Sequence, residues 1–195
     1  MIDKAELKIT SYQNYSPNYH LSKVMGAGYE PGADWIEWGS GSAGWLYIYQ
    51  MSGLEVYIHG YESEFDYTLN DIISFGGSFS ATRGKNLTDK SPLYYMPPDR
   101  IILSTEINLM PFSINLMHKK VFDQNRIGLY ESATTGYETY NLIGTYTMRD
   151  SWAIHKIILQ IDNVFDRKYY NHLSRIKSIM PEKGRNIGLQ YRLNF

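Results

Sequence analysis

Residues 187–195, Ile187-Gly188-Leu189-Gln190-Tyr191-Arg192-Leu193-Asn194-Phe195, alternate without a break. Apolar and aromatic residues hold the odd positions, and Gly, Gln, Arg and Asn hold the even ones. Successive side chains of a strand point to opposite faces, so this spacing predicts a strand with one apolar and one polar face. The length also suits a tilted strand crossing a bilayer, which takes about 9–11 residues. A half-buried sheet of a soluble protein alternates in the same way. The pattern alone therefore establishes a strand and leaves its surroundings open.

Moving toward the N-terminus, the same period recurs. It covers Ala153–Asn163 (Ile157, Leu159, Ile161), Tyr137–Met148 (Tyr140, Leu142, Tyr146, Met148) and Phe112–Lys119 (Phe112, Ile114, Leu116). It continues in Ile101–Leu109 and Ile72–Arg83, then in an aromatic stretch, Trp45–Leu69, and a first strand around Glu6–Tyr15. The expectation is an all-β chain of about eight strands with no helix.

The links between these strands alternate in length. Asn70-Asp71, Met110-Pro111 and Arg149-Asp150-Ser151 read as tight turns. Pro17–Gly44, Gly84–Pro98, Gln124–Gly136 and Val164–Gly184 read as long polar connections. Strict alternation of short and long links puts every long loop at one end of the sheet. That is the arrangement of an outer-membrane β-barrel, and a soluble sandwich has no reason to sort its loops this way.

Composition narrows the function. A net charge of -1 leaves no basic footprint for nucleic acid or for an anionic membrane surface. The 18 Tyr suit strands, membrane interfaces and ligand surfaces. Mean hydropathy is -0.38, which a barrel tolerates because only alternate residues meet lipid. The absence of Cys rules out a disulfide framework and thiolate metal sites. Met1 to Ala5 has neither the basic flank nor the apolar stretch of a secretory signal. There is no Gly-x-Ser-x-Gly, no His-Glu-x-x-His and no phosphate loop, so no enzyme is expected; Arg83-Gly84-Lys85 lacks the Ser/Thr of a nucleotide site. His20, His59, His118, His155 and His172 share no metal-ligand spacing, and no metal site or cofactor is expected. His118 and His155 fall in phase with apolar neighbours, which places them near the rims of the apolar band.

The run Asp162-Asn163-Val164-Phe165-Asp166-Arg167-Lys168-Tyr169-Tyr170-Asn171-His172-Leu173-Ser174 is followed by Pro181-Glu182-Lys183-Gly184-Arg185-Asn186 and a strand ending in Phe195. It resembles the C-terminus of TonB-dependent outer-membrane receptors. In that family an Asn-Leu-Phe-Asp-like turn leaves the penultimate strand, and a Pro-Gly-Arg-Asn-like turn enters the last one. Here Val164 replaces the Leu, and Glu182-Lys183 is inserted between Pro181 and Gly184. Thr82-Arg83-Gly84, Pro97-Pro98-x-Arg100 and Thr135-Gly136-Tyr137 are similar to upstream family segments. Independently of the family, Asn163 and Asp166 suit a chain reversal, and Gly184 relaxes the backbone at the top of the last strand.

The resemblance implies that residues 1–195 are the C-terminal portion of a receptor barrel of about 22 antiparallel transmembrane strands, without its N-terminal plug domain. It implies a Gram-negative outer-membrane location and lipid around the barrel. It further implies a TonB complex acting through the missing plug, and assembly machinery that reads the C-terminal strand at Phe195. The cargo implied is a small-molecule metal chelate such as a siderophore, or a similar nutrient. Two other architectures share the alternation: a complete eight-stranded barrel serving as a passive pore or structural protein, and a soluble carbohydrate-binding β-sandwich.

Candidate ligand contacts lie in the long connections. Trp35 and Trp38 can stack on a planar ligand or pack their loop, and Trp45 suits an interface anchor. Tyr94 and Tyr95 can contact substrate or sit in an interface belt. Arg126 can pair with an anionic chelate or with Glu131 of its own loop. The family motif positions are Asn163, Phe165, Asp166, Tyr169, Tyr170, His172, Ser174, Gly184, Arg185, Asn186 and Phe195.

Overall fold

The computed structural model describes residues 4–27, 47–128 and 131–195. Among them there is no helix. The strands are β1 (Lys4–Ala27), β2 (Tyr47–Thr68), β3 (Ile73–Asn86), β4 (Ser91–Pro92), β5 (Arg100–Leu109), β6 (Phe112–Val121), β7 (Tyr137–Arg149), β8 (Ile154–Asp162) and β9 (Asn186–Asn194). They form one antiparallel sheet in the order β1-β2-β3-β5-β6-β7-β8-β9, with two-residue β4 paired only to β3. Each long strand thus pairs with the next long strand in the sequence. A single sheet is not a sandwich. Among the described residues β1 and β9 do not pair with each other, so the sheet does not close into an eight-stranded barrel.

The short links form where the side chains can bond their own backbone. Asn70 Oδ1 accepts the amides of Ile72 and Ile73 at 2.9 and 2.8 Å. Asp150 Oδ1 does the same for Trp152 and Ala153, each at 2.9 Å. Both side chains thereby replace strand partners at the reversal. These turns and the Met110-Pro111 link lie at one end of the sheet. Segments 87–99, 122–128 with 131–136, and 163–185 lie at the other, as the link lengths require.

One boundary differs from the expectation. Pro17 reads as the start of a loop, yet β1 continues through it to Ala27, and β2 begins at Tyr47. Pro17 falls in a register shift where Ser16 pairs with Val56 and Tyr19 pairs with Leu54. Three steps on β1 oppose two on β2, which is a β-bulge. A proline has no amide to lose there, on the outermost strand of the sheet. The extra residue also reverses the phase of β1. Tyr19 thus comes to the face of Leu54 and packs against the buried cluster of Leu54, Val56 and Leu93.

The ladders keep one phase across the sheet. Leu7 opposes Phe65, Phe79 opposes Ile101, Leu103 opposes His118, Leu116 opposes Leu142, and Leu159 opposes Leu189. All of these share one face. Leu7, Phe65, Phe79, Leu103, Leu116, Leu159 and Leu189 are exposed on it. The opposite face carries Glu62, Glu64, Ser78, Ser80, Asn115, Thr145, Gln160 and Arg192 at the intervening positions. His118 and His155 are on the apolar face at opposite ends of the strands, stacked on Tyr140 and bonded to the Tyr191 hydroxyl, respectively.

On the polar face Tyr12 of β1 lies across Gly60 of β2, and its hydroxyl hydrogen-bonds Thr82 Oγ1 of β3 at 2.7 Å. Tyr12–Gly60 and Gly60–Thr82 are register pairs, so three strands are tied in one row. A Cβ at residue 60 meets the Tyr12 ring and the Ala81 carbonyl oxygen. Gly60→Ala is expected to destabilise the sheet by about 2 kcal/mol through overpacking, and Tyr12→Phe by about 1 kcal/mol through the lost hydrogen bond. Equilibrium denaturation of the folded protein checks both; an unchanged midpoint for Gly60→Ala contradicts the packing row.

Candidate functional site

The three described long connections pack on one another, and the packing starts from turns at the strand ends. After β8, Asn163 and Asp166 both adopt left-handed backbone, with φ of 51° and 53°. Asn163 is buried. Its Oδ1 accepts the Arg167 amide and its Nδ2 donates to the Arg167 carbonyl, each at 2.9 Å. Its own amide donates to Asn141 Oδ1 of β7 at 2.9 Å. Asp166 Oδ1 accepts the Arg185 amide at 2.7 Å, joining the start of the connection to its end. A short side chain that tolerates positive φ and has both a donor and an acceptor is therefore required at residue 163.

Gln124, fully buried, joins the other two connections. Its Nε2 donates to the carbonyls of Met96 and Pro97 at 2.9 and 3.2 Å, and its Oε1 accepts the Arg126 amide.

Glu131, His172 and Lys177 then meet in the interior of the loop layer. Their side chains are 3, 1 and 7% exposed. Lys177 Nζ lies 3.3 Å from Glu131 Oε1 and donates to His172 Nδ1 at 3.2 Å. The Thr134 hydroxyl lies 2.9 Å from the same Nδ1. An ammonium can only donate, so Nδ1 accepts from Lys177 and the ring proton of the neutral imidazole is on Nε2. That nitrogen sits 3.0 Å from Glu131 Oε1 without the alignment of a hydrogen bond. Glu131 also accepts the amides of Tyr95 (3.2 Å) and Gly128 (3.0 Å). One carboxylate and one ammonium balance, with a neutral ring between them, so the buried cluster needs no outside counter-ion. Burial and the neighbouring Lys177 cation hold the His172 pKa below its ordinary value of 6.5.

Residues flagged by the sequence are placed as follows. Arg126 pairs with Asp99, Nη2 to Oδ1 at 3.5 Å, and not with Glu131, whose carboxylate is taken by Lys177. Asp99 is also held by Arg83 through two bonds of 2.5 and 2.7 Å, which keep its carboxyl below the usual carboxylate range. Tyr94 is buried with its ring where a Cβ on Gly128 would stand. Tyr95 is partly exposed, its ring 5.9 Å from Lys177 Nζ. Trp35, Trp38 and Trp45 lie outside the described residues. Among the motif positions, Tyr169 stacks on Tyr137 at 4.2 Å, and Phe165 stands edge-on to Tyr140 at 5.1 Å. Ser174 accepts the Ile176 amide, and a Cβ at Gly184 would meet Asp166 Oδ1. Arg185 and Asn186 lead into β9, and Phe195 is 94% exposed.

A depression of about 470 Å³ opens beside the buried cluster, lined by Thr134, Tyr137, Arg167, Tyr169, Tyr170 and Lys177. Stacked phenol rings flanked by Arg167 and Lys168 suit a planar, anionic ligand, whereas the Lys177 charge is already balanced by Glu131. Among the described residues no group of three or more His, Asp or Glu is placed to hold a metal ion. Sequence spacing cannot reveal the Tyr137–Tyr169 stack or the Glu131–Lys177 pair. Their partners are 32 and 46 residues apart and meet only through loop packing.

Two outcomes are expected. Because the folded-state pKa of His172 is depressed, its contribution is complete above 6.5 and is lost as pH falls below that value, where the unfolded chain takes up a proton that the buried ring resists. The opening free energy of 122–128, 131–136 and 163–185, taken from amide exchange corrected for the intrinsic exchange rate at each pH, should therefore fall on acidification. The part of that response due to His172 should vanish in His172→Gln; an identical pH profile in the variant contradicts the assignment. Asn163→Ala should cost about 2–3 kcal/mol and Asn163→Gly less, because glycine keeps the positive φ while losing the side-chain bonds. Thermal denaturation ranks the two.

No protein-family model matches this sequence, and no curated protein is significantly similar to it. Solved structures do share its fold. The copper transporter OprC superimposes with a TM-score of 0.77 at 20% identity, covering 98% of this chain and 29% of that one. The FpvAI–pyocin S2 complex gives 0.65 at 15% identity, covering 96% and 25%. The FrpB iron transporter from Neisseria meningitidis (F3-3 variant) gives 0.59 at 13% identity, covering 97% and 31%. These are TonB-dependent receptors, and the fold described above is that of a segment of their barrels. The chain spans between a quarter and a third of the length of each.

Proposed function

We propose that this chain is the C-terminal part of the barrel of a TonB-dependent outer-membrane receptor that takes up a metal chelate or a similar nutrient. The observation that carries the reading is the uniform phase of the sheet. Large apolar side chains from β1 to β9 are exposed on one face, and the polar side chains are on the other. In water such a face is a liability; against lipid it is satisfied, and a paired antiparallel ladder leaves no backbone group bare in hydrocarbon. The open edges at β1 and β9 support a segment of a larger barrel over a closed small one. Bulky ferric or cupric chelates are the cargo class favoured here, because the Tyr137–Tyr169 depression on the polar side combines rings and cations.

In this reading the chain supplies wall and outer loops and catalyses nothing. The plug, carried by the remainder of the receptor, engages TonB. Lipid surrounds the apolar face, and the assembly machinery reads the last strand. In the receptor folded into lipid, Leu159→Arg is expected to cost about 2–4 kcal/mol, and Thr145→Arg, on the polar face, under about 1 kcal/mol. Equal costs for the two refute a lipid-facing wall. Uptake of a labelled ferric or cupric chelate by cells carrying the receptor should stop when the proton gradient is collapsed. Uptake that persists without the gradient refutes energised import.

A further inference from the structure

The depression in the loop layer and the buried trio share side chains. Thr134 and Lys177 line the depression, and both reach His172 Nδ1, at 2.9 and 3.2 Å. Glu131 closes the group, its Oε1 3.3 Å from Lys177 Nζ and 3.0 Å from His172 Nε2. Among the described residues, the charged groups that act on the ring are Lys177 from segment 163–185 and Glu131 from 131–136. Segment 87–99 contributes the Tyr95 amide, bonded to Glu131, and the Tyr95 ring, 5.9 Å from Lys177 Nζ. Arg167 and Lys168 line the depression as well, Lys168 lying 5.9 Å over the Tyr170 ring. One carboxylate, one ammonium and a neutral ring leave the trio uncharged. An anion entering the depression disturbs that balance at one atom, Lys177 Nζ. It competes with Glu131 and His172 for the ammonium, and it adds negative charge beside groups shielded from water.

We propose that the depression is a proton-coupled anion site, in which an anionic ligand engages Lys177 and His172 takes up a proton from solvent as the ligand binds. The charges balance. Before binding the trio sums to zero, and a singly charged anion together with a protonated ring restores that sum. The hydrogen bonds balance too. Once Lys177 turns to the ligand, Nδ1 has lost its ammonium donor. A proton placed there donates to the Thr134 hydroxyl oxygen, already at 2.9 Å. The Nε2 proton faces Glu131 Oε1 at 3.0 Å, where a small rotation of the cationic ring completes a charge-assisted bond. A neutral ligand offers Lys177 no charge and leaves the ring neutral. Coupling is reciprocal, so a protonated ring also makes the anion bind more tightly. The inference rests on the ligand role given to this depression above. It adds that the ligand carries net negative charge and binds better in acid.

The test uses the whole receptor containing this chain, purified in non-ionic detergent, with naphthalene-2-sulfonate as the probe. The sulfonate stays ionised at every pH used, so any proton taken up enters the protein. Titration calorimetry near neutral pH, in buffers of different ionisation enthalpy, gives the protons bound per sulfonate. The expected result is a net uptake of up to about one proton, with affinity weakening up to about tenfold per unit rise in pH. Naphthalene-2-sulfonamide, the uncharged analogue, should provoke no uptake. His172→Gln should bind the sulfonate with no uptake and with an affinity independent of pH. Amide exchange of the wild-type protein locates the site without relying on a variant, since the sulfonate should add protection in 131–136 and 163–185. Sulfonate binding without proton uptake, equal uptake with the sulfonamide, unchanged uptake in His172→Gln, or protection only elsewhere overturns the proposal. Energised chelate import in a receptor whose sulfonate binding takes up no proton refutes the coupling only. A receptor that neither binds the sulfonate nor imports a chelate refutes the ligand reading as well.

Discussion

Side chains on a strand alternate faces with a period of two, and a slip of one residue in any ladder turns a whole strand over. In this sheet the pairs Leu7–Phe65, Phe79–Ile101, Leu116–Leu142 and Leu159–Leu189 all fall in phase, so one face stays apolar from β1 to β9. Everything else depends on that agreement. It makes a wall with a lipid-compatible side, and it assigns Tyr12, Tyr137 and Asn141 to the polar side. It also allows a phase change only where the apolar band has ended. The bulge between Ser16 and Tyr19 lies there, and it turns Tyr19 inward onto Leu54 and Val56.

The short turns and long connections have different energetic sources. At the short-turn end, Asn70 and Asp150 satisfy the backbone locally and need nothing from the rest of the molecule. At the other end, the connections depend on one another. Gln124 holds the segment before β5, Glu131 holds Lys177 and the Tyr95 amide, and Asn163 holds Asn141 and Arg167. Burying a carboxylate, an ammonium and an imidazole together is tolerable only while all three partners stay in place. The loop layer is therefore ordered as a unit, and a change of charge at His172 is felt by two connections at once.

Much of this was legible before any coordinates. Strands β5 to β9 begin and end within a residue or two of where alternation and turn residues put them, because Asn70, Pro111 and Asp150 mark reversals through chemistry confined to three or four residues. Pro17 misled for an equally physical reason. A proline excludes a regular ladder position but not a bulge on an outer strand, and the sequence does not say which strand is outermost. The pairing of Arg126 was open between a ligand and Glu131; the loop packing gave it Asp99 and gave Glu131 to Lys177.

The last strand shows where the division falls. From Ile187 to Phe195 the sequence by itself determined a strand and its two faces, since alternation follows from local backbone geometry alone. It also determined the turns at Asn163 and Asp166, where short polar side chains accept left-handed backbone. Only the tertiary structure decided that the faces of eight long strands agree, that β1 and β9 do not pair among the described residues, and that Glu131, His172 and Lys177 share one buried site. Those outcomes depend on contacts between residues far apart in the chain, and no local preference encodes them.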